Sequence, residues 1–238
     1  MATSVTDKVK AIDKLIDKKS IEESLVLLAE KFNGKIVFST SFGWEDQVIT
    51  HIIFSKKIPI KVFTLDTGRM FNETYMVWNR TNDIYQQKIE AYFPKEDAVQ
   101  SMLNKKGPFS FYESVDNRKE CCYIRKIEPL QRALKGIDCW ITGIRSEQSA
   151  NRHDMTSVEW DASHELIKFH PLFDWDLAQV KEFINKNNVP YNSLHDKGFL
   201  SIGCAPCTRP VQEGEDFRAG RWWWEDNSKK ECGLHVHQ

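Results

Sequence analysis

Four of the six cysteines fall into two tight doublets. Cys121 and Cys122 are adjacent, and Cys204 and Cys207 form a C-x-x-C within Gly203-Cys204-Ala205-Pro206-Cys207-Thr208-Arg209-Pro210. Adjacent thiols are poorly placed to bond to each other. Four soft donors from two places 82 residues apart instead suit a tetrahedral metal or an iron–sulfur group. On spacing alone an iron–sulfur cluster, a structural zinc and two unrelated pairs of buried thiols stay open. Cys139, between Asp138 and Trp140, reads as a small buried hydrophobe. Cys232 stands apart, six residues from the C-terminus, with Lys229, Lys230 and His235 near it in sequence. Positive charge beside a thiol favours the thiolate, so this position suits a nucleophile carried on a segment that folds over a substrate.

A second set of residues suits an anion. Ser39-Thr40-Ser41-Phe42-Gly43 joins an apolar run to a helical one, where hydroxyls and backbone N–H groups at a helix start form a phosphate or sulfate cradle. It lacks the Gly-Lys-Ser/Thr of a Walker loop, which argues against a P-loop kinase. Leu65-Asp66-Thr67-Gly68 offers a carboxylate and a hydroxyl that address a ribose or merely cap a helix. Arg125, Lys126, Arg145, Arg152, Arg218 and Arg221 lie close to these loops and to the cysteines. Any one of them alone reads as a solvated charge; together they suit an anionic substrate. Trp222, Trp223 and Trp224 follow Arg221 directly and are too apolar for casual exposure.

The elements that position these groups alternate between strand and helix. The opening 33 residues read as helical, with Leu25, Leu28, Ala29 and Phe32 on one face and Gly34 as a stop. Lys35–Ser39 is the first strand, and the helix after it carries Val48, Ile49, Ile52 and Ile53. Ile60–Thr64 is the second strand and Glu90–Phe93 the third. A helix over about Ile124–Leu134 leads to the fourth strand at Cys139–Thr142. Alternation of this kind implies βαβ units and an α/β fold with a mostly parallel sheet flanked by helices. Ligands of such sheets bind beyond the carboxyl ends of the strands, so loops 40–43, 66–69 and 143–152 should share one edge. Beyond Asn188 the pattern fades into turn-rich sequence.

Composition narrows the class further. With 238 residues and 41% hydrophobic residues, the chain suits a single globular domain, residues 1–238. The 33 basic and 34 acidic residues give a formal charge of −1, which supplies no general attraction to nucleic acid or an anionic membrane. The first residues lack the apolar stretch of a signal peptide, and no run approaches a membrane span. The expected compartment is the cytoplasm, where paired cysteines bind metal or do redox work rather than form structural disulfides.

Long motifs in order resemble one family over nearly the whole chain. Cys121-Cys122-Tyr123-Ile124-Arg125-Lys126-Ile127-Glu128-Pro129-Leu130 resembles the cysteine-pair helix of the assimilatory adenylyl-sulfate reductases. Tyr191-Asn192-Ser193-Leu194-His195, Ile202 through Pro210, Gly220 through Glu225 and Lys230-Glu231-Cys232-Gly233-Leu234-His235 extend the likeness. The resemblance implies an adenine-nucleotide α-hydrolase-like sheet and a [4Fe–4S] cluster on Cys121, Cys122, Cys204 and Cys207. It implies sulfonucleotide contacts from Ser39, Thr40, Ser41, Phe42, Gly43, Leu65, Asp66, Thr67, Gly68 and Gly143, and anion contacts from Lys126, Arg152, Arg218 and Arg221. Cys232 becomes the nucleophile on a mobile tail, about residues 225–238, with His235 and Lys126 assisting. The implied reaction reduces adenosine 5′-phosphosulfate to sulfite and AMP through an S-sulfocysteine on Cys232, with thioredoxin or a glutaredoxin-like dithiol as partner and a homo-oligomer as a possible assembly. Two rivals stay open: the same reaction on 3′-phosphoadenosine 5′-phosphosulfate, and a non-catalytic iron–sulfur sensor that binds a nucleotide.

Overall fold

Ser20 divides the N-terminal helical stretch in two. In the computed structural model, which describes residues 4–148 and 155–225, α1 spans Val5–Ile16 and α2 spans Ile21–Phe32. The Ser20 side chain accepts from the Glu23 N–H while the Ser20 N–H donates to the Glu23 carboxylate, a reciprocal cap that starts a new helix. The periodic apolar pattern therefore spans a break, because capping chemistry overrides periodicity at one residue. Asn33 and Gly34, both left-handed, end α2.

Six strands follow: β1 (Ile36–Ser39), β2 (Lys61–Leu65), β3 (Glu90–Tyr92), β4 (Cys139–Ile141), β5 (Val158–Asp161) and β6 (Leu166–Phe169). They lie in the order β3-β2-β1-β4-β6-β5, all parallel except β5, which pairs antiparallel with β6. Helices α3 (Trp44–Ser55), α4 (Asn72–Tyr85), α5 (Glu96–Lys106), α6 (Val115–Cys122), α7 (Glu128–Ala133) and α8 (Leu177–Asn187) complete the order. The first four strands were legible as apolar runs. The β5–β6 hairpin and α8 were not, since Glu159, Asp161 and Lys168 interrupt the apolar pattern of the two strands. Lys168 is nevertheless buried, with Nζ 2.8 Å from Asp161. A paired charge can occupy an interior position that composition reserves for apolar residues.

Side chains alternate across the sheet and feed two cores. Ile36, Phe38, Cys139, Ile141, Ile167 and Phe169 pack with α1, α2, α3 and α8 on one face. Val37, Phe63, Trp140 and Leu166 meet Leu130, Ala133 and Leu134 of α7 on the other. Cys139 is fully buried, and desolvation pushes its thiol far above the ordinary value, so it behaves as the packing residue expected. A third, smaller cluster of Met102, Phe111, Cys121, Cys207 and Trp222 sits beside the second.

β1 has β2 on one side and β4 on the other, so chain direction reverses between β1 and β4. A crevice must open there beyond the carboxyl ends of both strands. Among the described residues, no helix is long and apolar enough to cross a membrane.

Candidate active site

The loop between β1 and α3 forms the floor of that crevice. Thr40 N donates to Phe63 O at 2.8 Å, and Ser41 N and Oγ both donate to Asp46 Oδ2, at 2.5 and 2.7 Å. Phe42 takes a left-handed φ of 62° that a bulky residue adopts only when held. Its ring is fully buried against Trp78, centroids 5.6 Å apart, and that packing holds it. The turn delivers Gly43 to the N-cap of α3, where no side chain caps the helix. Backbone donors of the first turn are thus left to an incoming anion.

Asp46 is buried, and desolvation pushes its carboxyl up to about 6 despite the two bonds from Ser41. Beside it, Glu45 Oε1 accepts from Arg145 Nε at 2.8 Å in a pair with almost no exposure. Across the crevice, Gly143 follows β4. A Cβ there would overlap Asp46 Oδ1, so only glycine lets the β4 loop close on the β1 loop. Gly143→Ala must displace the carboxylate or the loop. The expected cost is about 1–3 kcal/mol, read as a melting-temperature loss of about 2–12 °C; an unchanged melting curve would contradict the contact.

The crevice, about 260 Å³, is lined by Ser39, Thr40, Ser41, Gly43, Leu65, Thr67, Gly143, Lys126, Arg218 and Arg221 among others. It has polar character at both ends. Glu45 and Asp46 mark one, and Lys126, Cys204, Arg218 and Arg221 mark the other. Loops 40–43, 66–69 and 143–148 do meet at one sheet edge. Three expected residues stand behind the lining rather than in it: Phe42 in the core, Asp66, whose Oδ1 accepts from Gly68 N at 2.8 Å and from Tyr75 Oη at 2.9 Å, and Gly68, with φ of 68°. Arg152, Cys232 and His235 lie outside the described residues.

The cysteines converge. Cys121, Cys122, Cys204 and Cys207 line one small cavity with Arg69, Arg118, Arg125, Lys126, Arg221 and Trp222. None of the four is in a disulfide. Two consecutive helical residues ordinarily point 100° apart. Here α6 ends at Cys122 and the next five residues, Tyr123–Ile127, form a wider π-turn in which Glu128 N donates to Tyr123 O. Pro129 has no N–H for the Arg125 carbonyl, which is one reason the regular ladder fails here. Adjacent cysteines were the only sign of this turn in the sequence.

The thiols differ. Burial alone would raise Cys204, yet Lys126, the Thr67 hydroxyl, Arg221 and Arg125 together hold it below the ordinary value. Its Sγ lies 3.3 Å from Thr67 Oγ1. Burial pushes Cys207 up to about 12 and raises Cys121 as well. Among the described residues, no three metal-binding side chains gather tightly enough to hold a single ion. Four thiols spread around one cation-walled cavity fit a larger, polynuclear, anionic group better than mononuclear zinc. Arg118, Arg125 and Arg221 carry its wall, and Gly203 is needed because a Cβ there would strike the Arg221 guanidinium.

Lys126 and Arg221 line both the crevice and the cysteine cavity, and Cys204 does too. The two sites therefore share a wall of positive charge. A second hollow on α4, lined by Tyr75, Met76, Asn79, Arg80, Asp83 and Ile84, is shallow and brings no such chemistry together. Asp46, Glu45, Arg145 and His195 were not expected as site residues; the acidic pair reads in sequence as ordinary first-turn helix residues.

The phosphoadenosine phosphosulfate reductase domain model matches residues 35–210, which contain the cradle loop, the crevice and all four clustered cysteines. The chain belongs to this family. It is 50% identical over 200 residues to the adenosine 5′-phosphosulfate reductase of Allochromatium vinosum, covering 84% of this chain and 78% of that one. It is 47% identical over 203 residues to the enzyme of the same name from Agrobacterium fabrum, covering 85% and 78%. A solved phosphoadenylyl-sulfate (PAPS) reductase from Candida auris, in a phosphate complex, superposes with a TM-score of 0.73 at 30% identity, covering 89% of this chain and 99% of that one. Yeast FAD synthetase, at 16% identity and a TM-score of 0.55, shares the fold alone, with 88% of this chain and 70% of that one covered. This family membership agrees with the adenine-nucleotide α-hydrolase-like sheet that the sequence motifs implied.

Proposed function

We propose that the chain is an oxidoreductase of sulfate assimilation that reduces adenosine 5′-phosphosulfate to sulfite and AMP, using a thioredoxin-type dithiol. One observation carries this reading: the cationic end of a nucleotide-sized crevice is also the wall of a four-thiol cavity. The crevice binds the nucleotide with its sulfate directed to Lys126, Arg218 and Arg221, as fixed cations best hold a sulfuryl group while charge shifts onto the departing phosphate. Arg152 adds to them. Ser39, Thr40, Ser41 and Gly43 cradle the anion, while Leu65, Thr67 and Gly143 shape the nucleoside part of the crevice. Phe42, Asp66 and Gly68 hold these loops from behind.

The Cys232 thiolate attacks the sulfate sulfur. An S–S bond forms, the S–O bond to AMP breaks, and AMP leaves with the electron pair. His235 sits near the nucleophile in sequence and assists it. The dithiol then attacks the Cys232 sulfur, expels sulfite and closes to a disulfide, so both electrons come from the dithiol. Cys121, Cys122, Cys204 and Cys207 would hold a [4Fe–4S] cluster, which supplies an electrostatic influence on Lys126 and the sulfate when bound. One domain with a C-terminal catalytic tail suffices for these roles. The free thiols suit the reducing cytoplasm.

The deciding experiment is sulfite release by anaerobically purified protein given adenosine 5′-phosphosulfate and reduced thioredoxin. Thioredoxin-dependent release is the expected result. The likeness to a PAPS reductase structure supports a second reading, in which the 3′-phosphorylated nucleotide is the substrate. Competition between the two nucleotides separates them, and release from neither would defeat the reductase reading. Lys126→Ala should weaken binding of adenosine 5′-phosphosulfate about 10- to 100-fold, the value of a charge-assisted contact. Visible absorbance from the cysteine site should persist in that variant. Equal affinity in both proteins would remove Lys126 from the substrate.

A further inference from the structure

His195 lines the crevice and is used by no step described above. It lies in the short 3-10 turn Ser193–Lys197 and is 7% exposed. Its ring stacks on Trp44, the first residue of α3, with centroids 3.7 Å apart and planes 13° from parallel. Nδ1 lies 2.7 Å from the backbone oxygen of Phe199. A carbonyl oxygen can only accept, so Nδ1 must carry the proton. In the neutral ring Nε2 is then a bare acceptor. Among the described residues nothing donates to it, although it is fully buried from solvent. Burial holds the ring well below its ordinary value, at about 4, against the opposing pull of Phe199 O and Glu45, so it is neutral at physiological pH.

A buried acceptor with no donor costs free energy unless a ligand supplies one. The crevice otherwise presents hydroxyls, backbone donors and cations suited to oxyanions; a neutral, acceptor-only nitrogen repels them. We infer that His195 Nε2 is a nucleoside-recognition contact, accepting a hydrogen bond from an O–H or exocyclic N–H of the bound nucleotide. This rests on the reading of the crevice as a nucleotide site and adds which polar end of the ligand faces the Trp44–His195 stack. The Phe199 bond and the stack on Trp44 fix the ring, so the acceptor is preorganised and does not select against its own rotamers.

The test uses AMP and three analogues, each lacking one donor: 2′-deoxy-AMP, 3′-deoxy-AMP and purine riboside 5′-monophosphate, which has no exocyclic amine. Binding is measured by calorimetry to the wild type and to His195→Asn, whose amide can still donate to Phe199 O but offers no acceptor at the Nε2 position. Against the wild type, one analogue should bind about tenfold more weakly than AMP. Against His195→Asn, AMP should fall by a similar factor and that analogue should match it, because the donor and acceptor are lost together. A structural role for His195 would instead weaken all four ligands equally. The inference is overturned if AMP binds both proteins alike, or if the losses simply add. It is also overturned if no analogue binds the wild type more weakly than AMP, an arm that needs no variant to fold. Failure of AMP itself to bind the wild type would overturn the nucleotide reading, and this inference with it. His195→Phe, which keeps the stack on Trp44, repeats the cycle should the Asn variant fail to fold.

Discussion

Cys232→Ser should reduce sulfite release by at least about 10³-fold, the scale on which a covalent enzyme loses its nucleophile. A serine hydroxyl is not appreciably ionised near neutrality, and oxygen is a poor nucleophile toward sulfuryl sulfur. Cys232 follows Glu225 by seven residues. A chain of that length reaches at most about 25 Å. Glu225 itself is tied to Arg118, a residue of the cysteine cavity wall. The thiol can therefore reach the cationic end of the crevice and not merely its far side. AMP binding should stay within about twofold of the wild type, and so should the absorbance of the cysteine site. The protein should no longer acquire label from ³⁵S-labelled substrate when the dithiol is withheld. Retained label or near-normal release would mean that another group attacks sulfur.

Breaking the Arg118–Glu225 pair should have the largest effect on stability. Arg118 Nε lies 3.0 Å from Glu225 Oε1 and its terminal nitrogen 2.8 Å from Oε2, with the two side chains 1% and 4% exposed. The guanidinium also stacks on Trp222, 4.8 Å from the ring centroid. Glu225→Gln or Arg118→Met leaves one buried charge uncompensated, at a cost of about 3–5 kcal/mol. For a chain of this size the melting temperature should drop by about 6–20 °C. Arg118→Met combined with Glu225→Leu should regain much of the loss, because no buried charge is then stranded. If either single variant melts within 2 °C of the wild type, the pair is not the anchor its geometry indicates.

The sequence alone carried the parts whose physics is local. Apolar runs at Ile36–Ser39, Lys61–Leu65 and Cys139–Ile141 were legible because a strand buried on both faces needs little else. The cysteine spacing announced a soft-donor site, and the reversal of direction after β1 followed from alternation of strand and helix. What needed the tertiary structure were contacts between residues distant in the chain. Lys168 and Asp161 pair across a hairpin, so charges hide a strand that composition cannot reveal. The π-turn after Cys122 depends on a proline two residues beyond it and on the ladder that the proline interrupts. Gly143 is obligatory only because Asp46 lies against it, and His195 is an unmet acceptor only because Phe199 O claims the other ring nitrogen. Residue type and spacing named the chemistry available; three-dimensional packing decided which groups share a wall, since burial and charge act over a few ångströms of space rather than over distance along the chain.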